Sequence, residues 1–210
     1  MAYPMLRWLG IAALMIAYPL LAHYTNSSSH SEKLGALVSI TPVAALALVL
    51  AWKSPLRPFM PVVLALSCVA LMSAWSALEL HFGLVYWLQD MAMQLILFMT
   101  FARTLIGGRQ PLCTRFAEMV HPPLTPQHEI YARKVTIAWA LFFAAMALAS
   151  TLLFFLTPLV IWSYFANFMT LPQVALMFVG EYWTRKQALP DVKNTHILDA
   201  VRAFRNARPE

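Results

Sequence analysis

Residues His81 to Ile106, HFGLVYWLQDMAMQLILFMTFARTLI, form an apolar stretch that carries Asp90 and Gln94 in its interior. A bilayer's hydrocarbon core is about 30 Å thick, and a helix rising about 1.5 Å per residue crosses it in about 20 residues. This stretch is long enough. A carboxylate at bilayer depth costs about 2.5–3.5 kcal/mol on insertion scales, so Asp90 is expected to face protein rather than lipid. The surrounding chain is 60% hydrophobic and 11% charged, whereas an ordinary soluble domain carries about 25% charged residues. An all-α membrane protein is predicted, with little room for a separate soluble domain.

Six segments have spanning length: residues 6–24, 34–52, 59–78, 82–102, 135–157 and 161–182. The first has one Arg before its apolar core. It is long for a signal h-region and lacks a small-x-small cleavage site before His23, so an uncleaved anchor is expected. Residues 25–33, TNSSSHSEK, read as a polar loop. Pro42 and Pro172 are expected to kink or interrupt their helices. Glu79-Leu-His81 reads as a very short connection. The long polar segment 103–134 is expected to hold a turn at Gly107-Gly108, a short amphipathic interfacial helix at 112–120, a proline-rich turn at 121–126 and a helix start at Thr125-Pro-Gln-His-Glu129. Residues 1–186 then form one six-span bundle, and 187–210 a polar cytoplasmic tail with a possible helix at 197–204.

Basic residues set the orientation. Arg7, Lys53, Arg57, Arg103, Arg109, Arg115, Arg133, Lys134, Arg185, Lys186, Lys193, Arg202, Arg205 and Arg208 fall on one side of the six-span arrangement, and only Lys33 on the other. Positive residues stay cytoplasmic, so both termini are expected in the cytoplasm. The net charge of +6 is explained by this placement, and no nucleic-acid partner is expected.

Tyr86, Asp90 and Gln94 follow one another by a helical turn and share a face. With Asn167 they form the candidate intramembrane polar site. It could be a binding or proton-handling carboxylate, or a hydrogen-bonded pair that fixes packing against a Ser, Thr or Asn of another helix. Glu181 lies four residues before Arg185, the spacing of a local ion pair, and Glu79 and His81 are expected to be solvated at the outer interface. His121, His128 and Glu129 match no zinc pattern, so no metal is expected. No nucleophile elbow, phosphate loop or dinucleotide fingerprint occurs, and no cofactor is expected. Cys68 and Cys113 fall in a span and a cytoplasmic loop, which argues against a disulfide. Arg103, Arg109, Arg115, Arg133, Lys134, Arg185 and Lys186 could hold anionic headgroups or a phosphate-bearing partner, or could be ordinary topology charge.

Three motifs carry a resemblance: Arg103-Thr-Leu-Ile-Gly-Gly-Arg109-Gln-Pro-Leu-Cys-Thr-Arg115-Phe-Ala, Tyr131-Ala-Arg-Lys-Val-Thr136-Ile-Ala-Trp139-Ala-Leu-Phe-Phe143, and Gly180-Glu181-Tyr182 followed by basic residues. Over about residues 103–186 the chain resembles an uncharacterised family of bacterial polytopic inner-membrane proteins. Its members are often encoded with fatty-acid-synthase-like genes of aryl polyene clusters, beside acyl carrier proteins and acyl-activating ligases. Ala102 stands where that family often has Gly before Arg-Thr-Leu. The resemblance implies no catalytic residues. It implies an inner-membrane location and an acidic acyl carrier protein as a partner for the basic cytoplasmic face.

The expected function is a non-enzymatic membrane component of a lipid or aryl polyene assembly system, a scaffold or a handler of acyl lipid, with membrane lipids as partners. The rivals are an acyl or glycosyl transferase at the cytoplasmic interface, using some of Glu118, His121, His128, Glu129 and Glu181, and a small carrier using Asp90.

Overall fold

The computed structural model describes residues 2–28, 31–53, 60–120 and 123–188. Among these, every regular element is helical: α1 (Ala2–Ser27), α2 (Glu32–Lys53), α3 (Met60–Ser73), α4 (Trp75–Ala102), α5 (Leu112–Val120), α6 (Pro126–Leu156), α7 (Leu159–Tyr164), a π-helical segment (Phe165–Met169) and α8 (Thr170–Ala188). Four runs are long and apolar enough to cross a membrane: Glu32–Leu50, Trp75–Ala102, Pro126–Leu156 and Leu159–Ala188. The expected tail helix at 197–204, together with Arg57 and His121, lies outside the described residues.

Several boundaries differ from the expected ones for identifiable reasons. α1 continues to Ser27, so Thr25 and Asn26 belong to a helix end instead of a polar loop. The Thr25 hydroxyl bonds back to the Ala22 carbonyl at 3.0 Å, and both side chains are buried. Of residues 59–78, expected as one span, the described residues 60–78 are divided between α3 and the start of α4, with a turn at Ala74. α4 then runs on through Glu79-Leu-His81, where a connection was expected, and bends at His81, whose φ −121°, ψ 24° lies outside helical geometry. α6 begins at Pro126, nine residues before the expected span. Proline suits the first helical position because its missing N–H would have no intrahelical partner there.

Pro172 neither ends nor splits the last helix. A proline cannot donate to the carbonyl four residues back, and its ring crowds that carbonyl. Here the helix widens into the π turn Phe165–Met169 immediately before it, a recognised way to absorb such a mismatch. Gly107 and Gly108, at φ +71° and +68°, make the left-handed turn between α4 and α5, a conformation that glycine adopts without steric cost.

The chain forms two compact units, Met1–Asp90 with Ser150–Met169, and Met91–Ala149 with Thr170–Glu210. The first unit packs around Ala22, Tyr86 and Trp162, with Tyr18, Val38, Phe82, Trp87, Leu153, Phe154, Leu159 and Ala166 against them. Gly35 lets α2 approach the Phe82 ring of α4. In the second unit, Ala132, Thr136, Trp139, Ala140, Phe143, Met146 and Ala147 are buried, a stripe with the three- and four-residue spacing of one helix face. Phe101 stacks on Trp139 at 5.9 Å, and Phe178 meets Trp139 edge-on at 4.7 Å.

The exterior is apolar: Leu46, Leu50, Leu66, Met72, Leu141 and Leu176 are all exposed. Small and polar residues such as Ser39, Thr136, Ser150 and Ser163 are fully buried. Helices in lipid pack this way, because lipid tails are as apolar as leucine and only close packing and hydrogen bonds hold helices together.

Candidate functional site

The first unit contains two linked sets of buried hydrogen bonds. One centres on Ser150 of α6. Its hydroxyl donates to Asp90 Oδ2 at 2.5 Å and accepts from Trp162 Nε1 at 3.0 Å. One residue before Asp90, the Gln89 amide donates to the Ser39 carbonyl of α2 at 2.5 Å. Asp90 is thus turned toward protein, bonded to a serine on another helix. Tyr86, one turn earlier, shares a hydrogen bond with Thr25 of α1 at 3.2 Å. Tyr86 and Asp90 of the expected stripe therefore meet different helices, α1 and α6.

The second set centres on Ser163 of α7, which is fully buried. Asn26 Nδ2 donates to Ser163 Oγ at 3.3 Å, Asn167 Nδ2 donates to it at 3.1 Å, and His23 Nδ1 lies 3.2 Å away. A hydroxyl offers two lone pairs and one proton. Two amide groups and one imidazole nitrogen thus converge on a single hydroxyl. The His23 ring packs edge-on against Tyr164 at 5.4 Å and Phe168 at 5.2 Å. Asn26 Oδ1 is buried and has no hydrogen-bond partner. Of the expected site residues only Asn167 belongs to this set.

His23, Asn26 and Ser163 escaped sequence reasoning. His23 sits beside, and Asn26 within, a polar run that reads as a loop, and a lone serine in an apolar helix carries no local signal. The three-residue step from His23 to Asn26 and the four-residue step from Ser163 to Asn167 are the traces of the cluster within the sequence.

In the second unit the basic residues occupy different environments. Arg103, Arg109, Arg115, Arg133 and Lys134 are exposed and have no ion-pair partner among the described residues. Arg185 lies 3.8 Å from Glu181 and over the Tyr182 ring at 5.8 Å, while the Tyr131 hydroxyl donates to the Glu181 carbonyl at 3.1 Å. Gln94 is buried at 2% exposure.

The first N–H groups of α5 are already used. Leu112 N donates to Thr104 Oγ1 at 3.1 Å and Cys113 N to Thr136 Oγ1 at 3.2 Å. That helix end therefore offers no free donors at these positions to an anion, and attraction of an anion falls to the guanidinium groups. Burial pushes the Cys113 thiol above its ordinary value, with the hydrogen bond from Thr136 opposing and the charge of Glu181 adding to the rise.

The acid and base candidates keep to local partners. Glu118 accepts from Gln110 at 2.6 Å, and His128 bonds with Thr125 at 2.5 Å. Among the described residues, no three His, Cys, Asp or Glu side chains lie close enough to hold a metal.

Asp90→Asn is expected to leave stability within about 1 kcal/mol of the parent. An amide oxygen still accepts from Ser150, and interhelical hydrogen bonds in membranes average only about 0.6 kcal/mol. Asp90→Leu removes the acceptor, leaves the Ser150 proton unpaired and is expected to cost about 1–2 kcal/mol. Equilibrium unfolding in mixed micelles checks the pair. Equal losses for the Asn and Leu variants would show that the charge, not the hydrogen bond, matters at this position.

Comparison of the chain with protein-family models, with curated proteins and with solved structures yields no match.

Proposed function

We propose that this chain is a non-enzymatic, multi-pass component of a bacterial inner membrane. It serves a lipid or aryl polyene assembly system by scaffolding or by handling an acyl lipid, and its basic face contacts an acidic partner such as an acyl carrier protein. The observation that carries this reading is the contrast between the exposed cations and the candidate catalytic groups. Arg103, Arg109, Arg115, Arg133 and Lys134 present charge with no ion-pair partner among the described residues. Glu118, His128 and Glu181 are tied to neighbours on their own or an adjacent element. A transferase needs an acid or base converging with a second group within hydrogen-bond reach of the reacting atom. The described candidates share no hydrogen bond with one another.

Six crossings with both termini cytoplasmic is the arrangement favoured by the distribution of Lys and Arg. α3, at 14 residues, is about 21 Å long and falls short of the hydrocarbon thickness. In that arrangement the third crossing joins α3 to the first turns of α4, and the fourth begins after the bend at His81. α5 then lies at the cytoplasmic interface, with Phe116 and Met119, both exposed, toward lipid.

The test is co-purification of the tagged protein in mild detergent, with mass spectrometry of the bound proteins and lipids. Recovery of an acyl carrier protein is expected, falling at least tenfold when Arg109, Arg115 and Arg133 are changed together to Gln, and falling likewise as salt rises from 50 to 500 mM, because exposed charges are screened. A complex unchanged by the triple substitution would refute the role of the basic face.

A further inference from the structure

The start of α5 is held from two sides. Leu112 N donates to the hydroxyl of Thr104, just past the end of α4, and Cys113 N donates to the hydroxyl of Thr136 on α6. These bonds draw three elements to one corner of the second unit. Arg103 precedes Thr104, Arg115 stands in the first turn of α5, and Arg133 lies one turn before Thr136. All three are exposed and have no ion-pair partner among the described residues. Glu118, the acid of α5, accepts from the Gln110 amide, so it does not neutralise the arginines.

The surface of α5 has two opposite arcs, since successive residues turn by about 100°. Cys113, Thr114 and Ala117 share the arc turned toward the protein: Thr114 is 3% exposed, and the other two are half-buried. Arg115 and Met119, four residues apart, stand on the other side, with Phe116 beside them. Phe116 and Met119 are 48% and 43% exposed. Ile106 is exposed as well, on the turn that leads into the helix. One arc thus carries a cation next to large apolar side chains. A helix lying in a membrane interface has this surface, with its apolar side chains among the acyl chains and its cation at the level of the phosphates.

We propose that this corner binds the phosphate of an anionic phospholipid headgroup, with Arg103 and Arg115 as its cations and Phe116 and Met119 seated among the adjoining acyl chains. Guanidinium groups donate paired N–H bonds to phosphate oxygens. A zwitterionic headgroup would bring a cation of its own against the arginines, and an anionic one brings none. The apolar part of the arc favours lipid over a soluble acidic ligand, because a lipid supplies charge and hydrocarbon side by side. The inference deepens the reading of the basic face by giving Arg103 and Arg115 to the membrane, and it rests on the placement of α5 at the cytoplasmic interface.

The test uses the full chain in phosphatidylcholine nanodiscs doped with a phosphatidylglycerol or a phosphatidylcholine probe, each bearing a diazirine on the acyl chain close to the ester. After irradiation, labelled peptides are mapped by mass spectrometry. Residues 103–120 are expected to take about fivefold or more label from the phosphatidylglycerol probe, the factor that one Lys or Arg near an anionic surface contributes. The exposed α2 residues 43–50 are expected to take the two probes equally. Arg103→Gln combined with Arg115→Gln is expected to bring the ratio at 103–120 to about one, with phosphatidylcholine labelling and helicity by circular dichroism unchanged. Lys33→Gln combined with Lys53→Gln removes the same charge from exposed positions on α2 and is expected to keep the parent ratio. Equal labelling by the two probes in the parent would overturn the proposal. A ratio lost equally in both double variants would also overturn it, because net charge would then be the cause. The assay holds no carrier protein, so it reads the lipid site apart from that contact. Label at 43–50 with none at 103–120 from either probe would overturn the interfacial placement of α5, and the proposal with it.

Discussion

Trp162→Ala is expected to unfold the first unit at markedly lower denaturant than the parent, with a loss of about 3–4 kcal/mol. The side chain is 1% exposed and sits at the centre of its unit. The ring meets Phe154 edge-on at 5.4 Å, and its Nε1 supplies a hydrogen bond to Ser150. Truncating a buried tryptophan to alanine costs about 3–5 kcal/mol, because the cavity it leaves has no partner atoms. The lower part of that range applies here, since lipid offers little solvophobic drive between helices. Trp162→Phe separates the two contributions. It keeps most of the ring and removes only the N–H, so a loss of about 1 kcal/mol is expected. Unfolding by sodium dodecyl sulfate in mixed micelles, followed by circular dichroism, reads both. Equal losses for Ala and Phe would mean that the hydrogen bond, not the packing, holds this centre together.

Gly35→Val is the second large effect. A Cβ at position 35 would stand 2.6 Å from Phe82 Cδ2 and 2.9 Å from its Cγ. The clash reaches the base of the ring, so a small rotation at the tip cannot relieve it. Overpacking of this kind costs about 1–3 kcal/mol. The valine's two further methyl groups push it to the upper part of that range, with α2 displaced from α4. Gly180→Ala is the control, because nothing lies within 4 Å of a Cβ there. In a helix interior this change is expected to be neutral or to stabilise by up to about 1 kcal/mol. Differential scanning fluorimetry in detergent should show a lower Tm for Gly35→Val and an unchanged or higher one for Gly180→Ala. Equal Tm values for the two variants would mean that α2 and α4 do not approach at position 35.

Much of the architecture is legible in the residues because it depends on local chemistry. The helical class follows from runs of apolar residues with no alternative for their backbone groups in lipid. α5 was expected at 112–120 and occupies Leu112–Val120, since its polar and apolar residues alternate with helical spacing. The start of α6 was announced by Thr125-Pro126, whose geometry favours a first turn. The expectations that needed revision concern junctions. Thr25 and Asn26 have the composition of a loop, and residues 79–81 have that of a connection. In each case contacts between helices decide where the helix ends.

The residues by themselves determined that this chain is helical, apolar on the outside and poor in charge, because these properties are sums over many positions and survive any rearrangement of neighbours. Only the tertiary structure decided which polar groups meet. Asp90 finds Ser150 across 60 positions of sequence, and Ser163 gathers His23, Asn26 and Asn167 across as many as 140. A hydrogen bond acts over about 3 Å, so its partner is set by how helices cross, and no pattern along one helix can encode that.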